Sequence, residues 1–304
     1  MPSPSAAGVA AGFPEPSAYL KKLTFGFNSR ILQARLDDIQ RVSRVGLGFE
    51  YVLDNDTFTY SMHRFGDDLW VVFVTLRREA IRLALGGKDG WEAEWRRAVA
   101  YGYWSLAMQM DARRATIERN AADGGENWGA PGLEWFGGVA GDCLALGWTD
   151  YARDLARRAR WMDSMRGFPD GAQGYQRATQ RFVLRLIEDG NGTAEGDVGV
   201  PEFDTLLANW RSAPAADLAP VLLAACDRHT HQCRSTDTDM EFDLPFEAFW
   251  YDPYEILAVL RLRASAGLDN PALGHPLLDT PLGRLQGPSA PVLDEVLAAA
   301  VSAC

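Results

Sequence analysis

A chain of 304 residues with 47% hydrophobic and 23% charged side chains has ordinary globular composition and enough apolar material for a real core, which excludes wholesale disorder. Its 41 acidic against 30 basic residues leave a net charge of −11; three of the bases are lysines (Lys21, Lys22, Lys88) and the other 27 are arginines. That balance excludes a protein that grips nucleic acid non-specifically, which needs a net basic face, and it admits a basic partner.

Residues 1–12 are rich in Ala, Ser, Pro and Gly, and the first positive side chain, Lys21, follows Pro14 and Pro16. A secretory signal carries positive charge ahead of its apolar stretch. Residues 1–20 therefore read as a disordered lead-in, and the expected location is the cytoplasm. No run of 18 apolar residues exists, so neither a transmembrane helix nor a membrane partner is expected.

Helical periodicity dominates from there on. Ile31, Leu32, Leu36, Ile39 and Val42 recur at three- and four-residue steps, which predicts an amphipathic helix at 28–47. Asp67-Asp68 are expected to cap the next helix, which carries Trp70, Phe73, Val74, Ile81 and Leu85 and stops at Gly86-Gly87. Trp95, Val99, Tyr103 and Leu106 mark a third at 91–114, followed by a Gly-rich loop at 121–132. Residues 133–146 are apolar and small, with Gly137, Gly138 and Gly141. Glycine costs a helix up to about 1 kcal/mol against alanine, but lets a neighbouring helix approach closely.

Thr149 or Asp150 is expected to cap a helix to about Met165. Further helices are expected at 173–188, 203–210, 215–226, 254–266 and 291–303, with a loop from His229 to Pro245. Residues 58–62 give the one hint of a strand and are too short to compete. The expected fold is all-α, an antiparallel bundle of about nine or ten helices in paired hairpins, either softly divided into regions 21–125 and 126–304 or one continuous bundle.

Motifs for chemistry are weak. Four cysteines (Cys143, Cys226, Cys233, Cys304) are too few for a disulfide framework and read as free thiols. Cys226, His229, His231 and Cys233 are soft and borderline ligands, but their spacing matches no standard zinc site and would strain a tetrahedron, so neither metal nor cofactor is expected. Asp67-Asp68 before an aromatic helix resembles the aspartate-rich helix of isoprenoid synthases, but Val71 stands where the third aspartate belongs. There is no G-x-S-x-G. Glu134, Asp142 and Glu255, with ten tryptophans, are the candidates for the alternative reading, a helical carboxylate-dependent hydrolase acting on glycosides.

Charge layout says more. Residues 186–210 hold six acids and no base: Glu188, Asp189, Glu195, Asp197, Glu202 and Asp204. Residues 235–260 hold seven and no base: Asp237, Asp239, Glu241, Asp243, Glu247, Asp252 and Glu255. Between them and the third helix, residues 151–185 carry eight arginines against three aspartates. The second acidic window is also aromatic, with Phe242, Phe246, Phe249, Trp250, Tyr251 and Tyr254. One reading is a solvated surface with intramolecular ion pairs and core rings. The other is an acidic face for a basic partner, formed by these acids other than Glu255, since such a face steers association.

The C-terminal stretch carries a resemblance. Phe246-Glu247-Ala248-Phe249-Trp250-Tyr251-Asp252-Pro253-Tyr254-Glu255 leads into an Ala-containing helix, then Gly267-Leu268-Asp269-Asn270-Pro271 and His275-Pro276-Leu277-Leu278. This resembles the end of bacterial immunity proteins that neutralise polymorphic toxins, in particular the PoNi type. Glu255 would match the helix-opening glutamate and Asp269 the turn aspartate. The resemblance implies an all-helical cytoplasmic inhibitor, not an enzyme, whose partner is a cognate toxin, often a nuclease delivered by a type VI or contact-dependent system.

Overall fold

The computed structural model describes residues 8–24, 29–53, 56–119, 131–165, 168, 176–189, 197–234 and 242–304. The fold is all-α: 68% of the chain is helical and 3% is strand. Twelve helices are described: α1 Pro16–Thr24, α2 Ser29–Val45, α3 Met62–Leu85, α4 Trp91–Arg119, α5 Leu133–Ala145, α6 Thr149–Ser164, α7 Ala178–Asp189, α8 Pro201–Asn209, α9 Ala215–Gln232, α10 Tyr254–Ser265, α11 Pro276–Asp279 and α12 Glu295–Ser302. A single 3₁₀ turn at Glu247–Phe249 precedes α10.

Helices α3 and α4 form the spine, with Gly66 beside Ser105 and Gln109 and Gly102 beside Phe73, an antiparallel register. The start of α3 corrects the expected cap. Ser61 caps it, its Oγ accepting from Arg64 N at 3.2 Å. Asp68 lies inside the helix, 1% exposed, where it accepts from Tyr60 Oη at 2.6 Å and pairs with Arg35 and Arg64. The short hairpin of β1 Glu50–Leu53 and β2 Asp56–Thr59 was not expected; it pairs Tyr51 with Phe58 and Glu50 with Thr59.

Helix α5 is the hub. Every residue in it except Trp135 is buried, which is why its sequence is apolar all round instead of striped. It packs on α6, α7, α10 and α4. Its glycines admit these neighbours: a Cβ on Gly137 would meet Gln180 Cβ at 2.4 Å, one on Gly138 would meet Phe249 at 2.5 Å, and one on Gly141 would meet Tyr254 at 2.5 Å. Helix α12 returns to α2. Its cap, Asp294, accepts from Leu297 N at 2.8 Å and also binds Arg97 Nε at 2.6 Å, which ties the C-terminal helix to α4.

Two expectations shift further. Residues 1–7 lie outside the described residues, but from Gly8 the expected lead-in is placed: Gly8 N donates to Asp227 at 2.8 Å, Ala10 N to Thr230 Oγ1 at 2.9 Å, and Tyr19 on α1 is fully buried. Helix α9 runs on to Gln232, so His229 and His231 sit on a helix and not in a loop. One apolar core runs through all the longer helices, from Tyr19 to Ala300. No described helix is long and apolar enough to cross a membrane.

Candidate functional site

At the junction of α3, α5, α9 and α10 the structure gathers charge that the sequence scatters from Arg77 to Glu255. Arg77, from the buried stripe of α3, is wholly enclosed. Its Nε donates to Ala248 O at 2.9 Å, Nη1 to Asp142 at 2.5 Å and Nη2 to Asp252. Its guanidinium lies 4.3 Å from the Trp95 ring centre and 4.2 Å from that of Phe249. Asp142 comes from α5 and Asp252 from the turn before α10, and Arg77 binds both. Burial pushes both carboxyl pKa values up, Asp252 well above the usual range; Asp142 adds to the rise at Asp252 while Arg77 opposes it at both.

A second buried pair adjoins the first. His229 Nδ1 is 2.7 Å from Glu255 Oε1, and its Nε2 is 3.1 Å from Trp250 O. Burial alone would lower the histidine's pKa; the Glu255 carboxylate and Cys233 override it and hold the imidazole well above its ordinary value. Both ring nitrogens face acceptors, an arrangement that an imidazolium satisfies with its two N–H donors. Two cations then face three carboxyl groups, and the interior is neutral when Asp142 and Asp252 share one proton between them. Charge neutrality of this kind is what makes buried ions tolerable.

The expected binding residues separate into three groups. Glu195, Asp237, Asp239 and Glu241 lie outside the described residues. Asp243 and Asp252 are turned inward, contrary to expectation. Asp252 holds Arg77; Asp243, 7% exposed, caps α7 by accepting from Ala178 N and Thr179 N at 3.0 Å each, and pairs with Arg228 at 3.1 Å. Both are buried because a carboxylate with an arginine and backbone donors to bind loses less by leaving water.

The remaining acids lie at or near the surface. Asp197 is exposed and Glu202 half-buried. Asp204 binds Val198 N at 2.6 Å, Glu188 pairs with Arg160 at 2.6 Å, Glu247 pairs with Lys22 at 3.1 Å, and Asp189 ends α7. One acid of the second window touches the helix that ends in the first. Asp243 sits at the start of α7 and Glu188 near its end, and Phe203 on α8 stacks on Phe182 of α7 at 4.4 Å.

The other expected chemistry finds internal partners. Glu134 pairs with Arg177 at 3.7 Å, Asp142 with Arg77 and Glu255 with His229. The cleft beside Asp142 and Asp252, walled by Trp91, Trp95 and Arg284, has a volume of about 20 Å³. That is room for about one water. His229 and His231 differ in surroundings, one enclosed and one half-buried, and no three His, Cys, Asp or Glu side chains converge as metal ligands among the described residues. A roomier groove of about 360 Å³ runs between α4 and α6, where Arg157 and Arg158 are paired with Asp154 and Asp111.

Sequence reasoning missed Arg77. Its signal was an arginine on the apolar stripe of a helix, four residues after Phe73 and four before Ile81. Comparison of the chain with protein-family models, curated protein sequences and solved structures found no match.

Proposed function

We propose that this protein is a non-enzymatic binding protein of the immunity type, which neutralises a basic toxin through an acidic surface. The observation that carries the reading is the net charge of −11 with two base-free acidic windows, of whose members Asp197 stays exposed and Glu202 half-buried while Asp243 and Asp252 serve the fold. Surface carboxylates on a protein with net charge −11 steer a basic partner towards them. The hydrolase alternative is disfavoured because each of its carboxyls has an internal partner and the cleft beside Asp142 admits about one water and no sugar.

The test replaces Asp197, Glu202, Asp237, Asp239 and Glu241 together by Asn or Gln, leaving Asp243 and Asp252 intact. Binding to the toxin encoded beside the gene, measured by titration calorimetry at rising salt, should weaken at least about tenfold at low salt and lose most of its salt dependence. Co-expression of the wild type should restore growth to cells making that toxin. No rescue, or an affinity unmoved by the five substitutions, overturns the reading.

A further inference from the structure

We propose that the surface made by Glu247, Trp250 and Tyr251 is a docking face for a basic, aromatic segment of a partner protein, and that the chain's own residues 8–24 fill it until that segment displaces them. The proposal rests on the binding reading above and names the part of the partner that would be recognised.

Two of the three lysines in the chain are adjacent on α1, and one of them, Lys22, meets the base-free window 235–260 at Glu247. Lys22 Nζ reaches Glu247 at 3.1 Å and lies 4.3 Å over the Trp250 ring. Tyr19 is enclosed at the centre, its ring 6.1 Å from that of Trp250 and 4.8 Å from that of Tyr251, and its hydroxyl donates to Glu247 O. Tyr251 in turn donates to Pro14 O at 2.5 Å and meets Phe13 at 5.1 Å.

The arrangement has the anatomy of an interface between chains: a buried aromatic anchor with a hydroxyl that finds a partner, and a half-exposed charge pair at the rim. Helix α1 has nine residues, too few to be stable in isolation, so the surface holds it in shape. Although Tyr19 and Leu23 join the core, terminal helices of that length open at lower free energy than central ones. A partner helix carrying a tyrosine three residues before a lysine could make the same contacts.

The test uses the full chain and a synthetic peptide of residues 8–24. Hydrogen exchange should show the amides of α1 opening at least tenfold faster than those of α5, and Lys22→Glu should speed α1 further with α5 unchanged. The labelled peptide should bind the Tyr19→Ala chain at least tenfold tighter than the wild type, whose face is already filled. A peptide with both lysines replaced by glutamate should bind that chain at least tenfold more weakly, and Glu247→Lys added to it should abolish the gain. Exchange of α1 at the rate of α5, with no peptide binding to either the Tyr19→Ala or the Lys22→Glu chain, makes the segment a fixed part of the core and overturns the proposal. Equal binding of the basic and acidic peptides overturns it as well. No toxin enters these measurements, so they succeed or fail independently of the salt test above.

Discussion

Replacing Arg77 by methionine keeps most of the side chain's volume and removes its charge and donors. The loss can be estimated from what Arg77 touches. It donates to two carboxyls and one carbonyl, all buried, and lies between two rings. Breaking a buried ion pair by removing one partner costs about 3–5 kcal/mol, because the other charge stays behind without compensation. Here two carboxyls stay behind, so the upper half of that range is expected. In a protein of this size about 4 kcal/mol corresponds to a fall in Tm on the order of 10 °C.

Adding Asp142→Asn and Asp252→Asn to Arg77→Met should recover more than half of the loss, since the charges left in the junction, on His229 and Glu255, then compensate each other. Arg77→Lys should fall between, because one ammonium cannot serve the two carboxyls and Ala248 O in the fork geometry of a guanidinium. Thermal and urea melts of the four proteins decide it. An Arg77→Met protein within about 1 kcal/mol of wild type, or a triple variant less stable than the single one, would refute the account of the junction as a neutralised charge cluster.

Three other perturbations test the remaining structure. Because folded His229 keeps its proton above the ordinary value of 6.5, its contribution to stability is complete below that pH and is lost as pH rises through the folded value. The stability gap between wild type and His229→Gln should therefore narrow from about pH 6 to about pH 9 in urea titrations, and a gap that widens contradicts the assignment. Asp243→Ala removes the cap of α7 and should cost about 1–2 kcal/mol, with faster amide exchange confined to the first turn of α7. Gly138→Ala drives a methyl to 2.5 Å from Phe249 and should cost about 1–3 kcal/mol by denaturation, whereas a neutral or stabilising result would show that α5 is not the close-packed hub described.

What was legible in the sequence is what depends on neighbours a few residues away. The stripes through Ile39 and Val42, through Phe73 and Ile81, and through Trp95 and Val99 are buried as their spacing requires. The small residues of α5 read correctly as a surface for close approach. What was not legible depends on distant partners. An isolated acid is read as solvent-facing, because carboxylates are seldom enclosed unless paired. Asp252 has its arginine 175 residues away, and Asp243 caps a helix 64 residues away and pairs with an arginine 15 residues away, so no helical or strand spacing marks them as internal. The hairpin at 50–59 escaped for a different reason: its second strand is exposed along its whole length and carries no alternation to detect.

The same partition sharpens what the net charge means. Among the described residues the interior encloses Asp68, Glu134, Asp142, Asp243, Asp252 and Glu255 against Arg77, Arg177, Arg261 and Arg263. Arginine suits this work better than lysine. Arg263 alone serves Trp210 O at 2.5 Å, Ala213 O at 3.2 Å and Asp269 O, satisfying carbonyls just beyond the ends of α8 and α10, and Arg261 serves Ala145 O at 2.8 Å at the end of α5. Six acids and four arginines enclosed remove little of the −11, so the excess is an exterior property and acts at long range. The two populations of carboxylate are then separable by kinetics. Neutralising Asp197 and Glu202 should slow association with a basic partner and flatten its salt dependence at unchanged stability. Neutralising Asp252 should lower stability and leave the salt dependence of association as it was. An Asp252→Asn protein of normal stability with a flattened salt dependence would mean that this carboxylate faces the partner after all, and that the junction opens on binding.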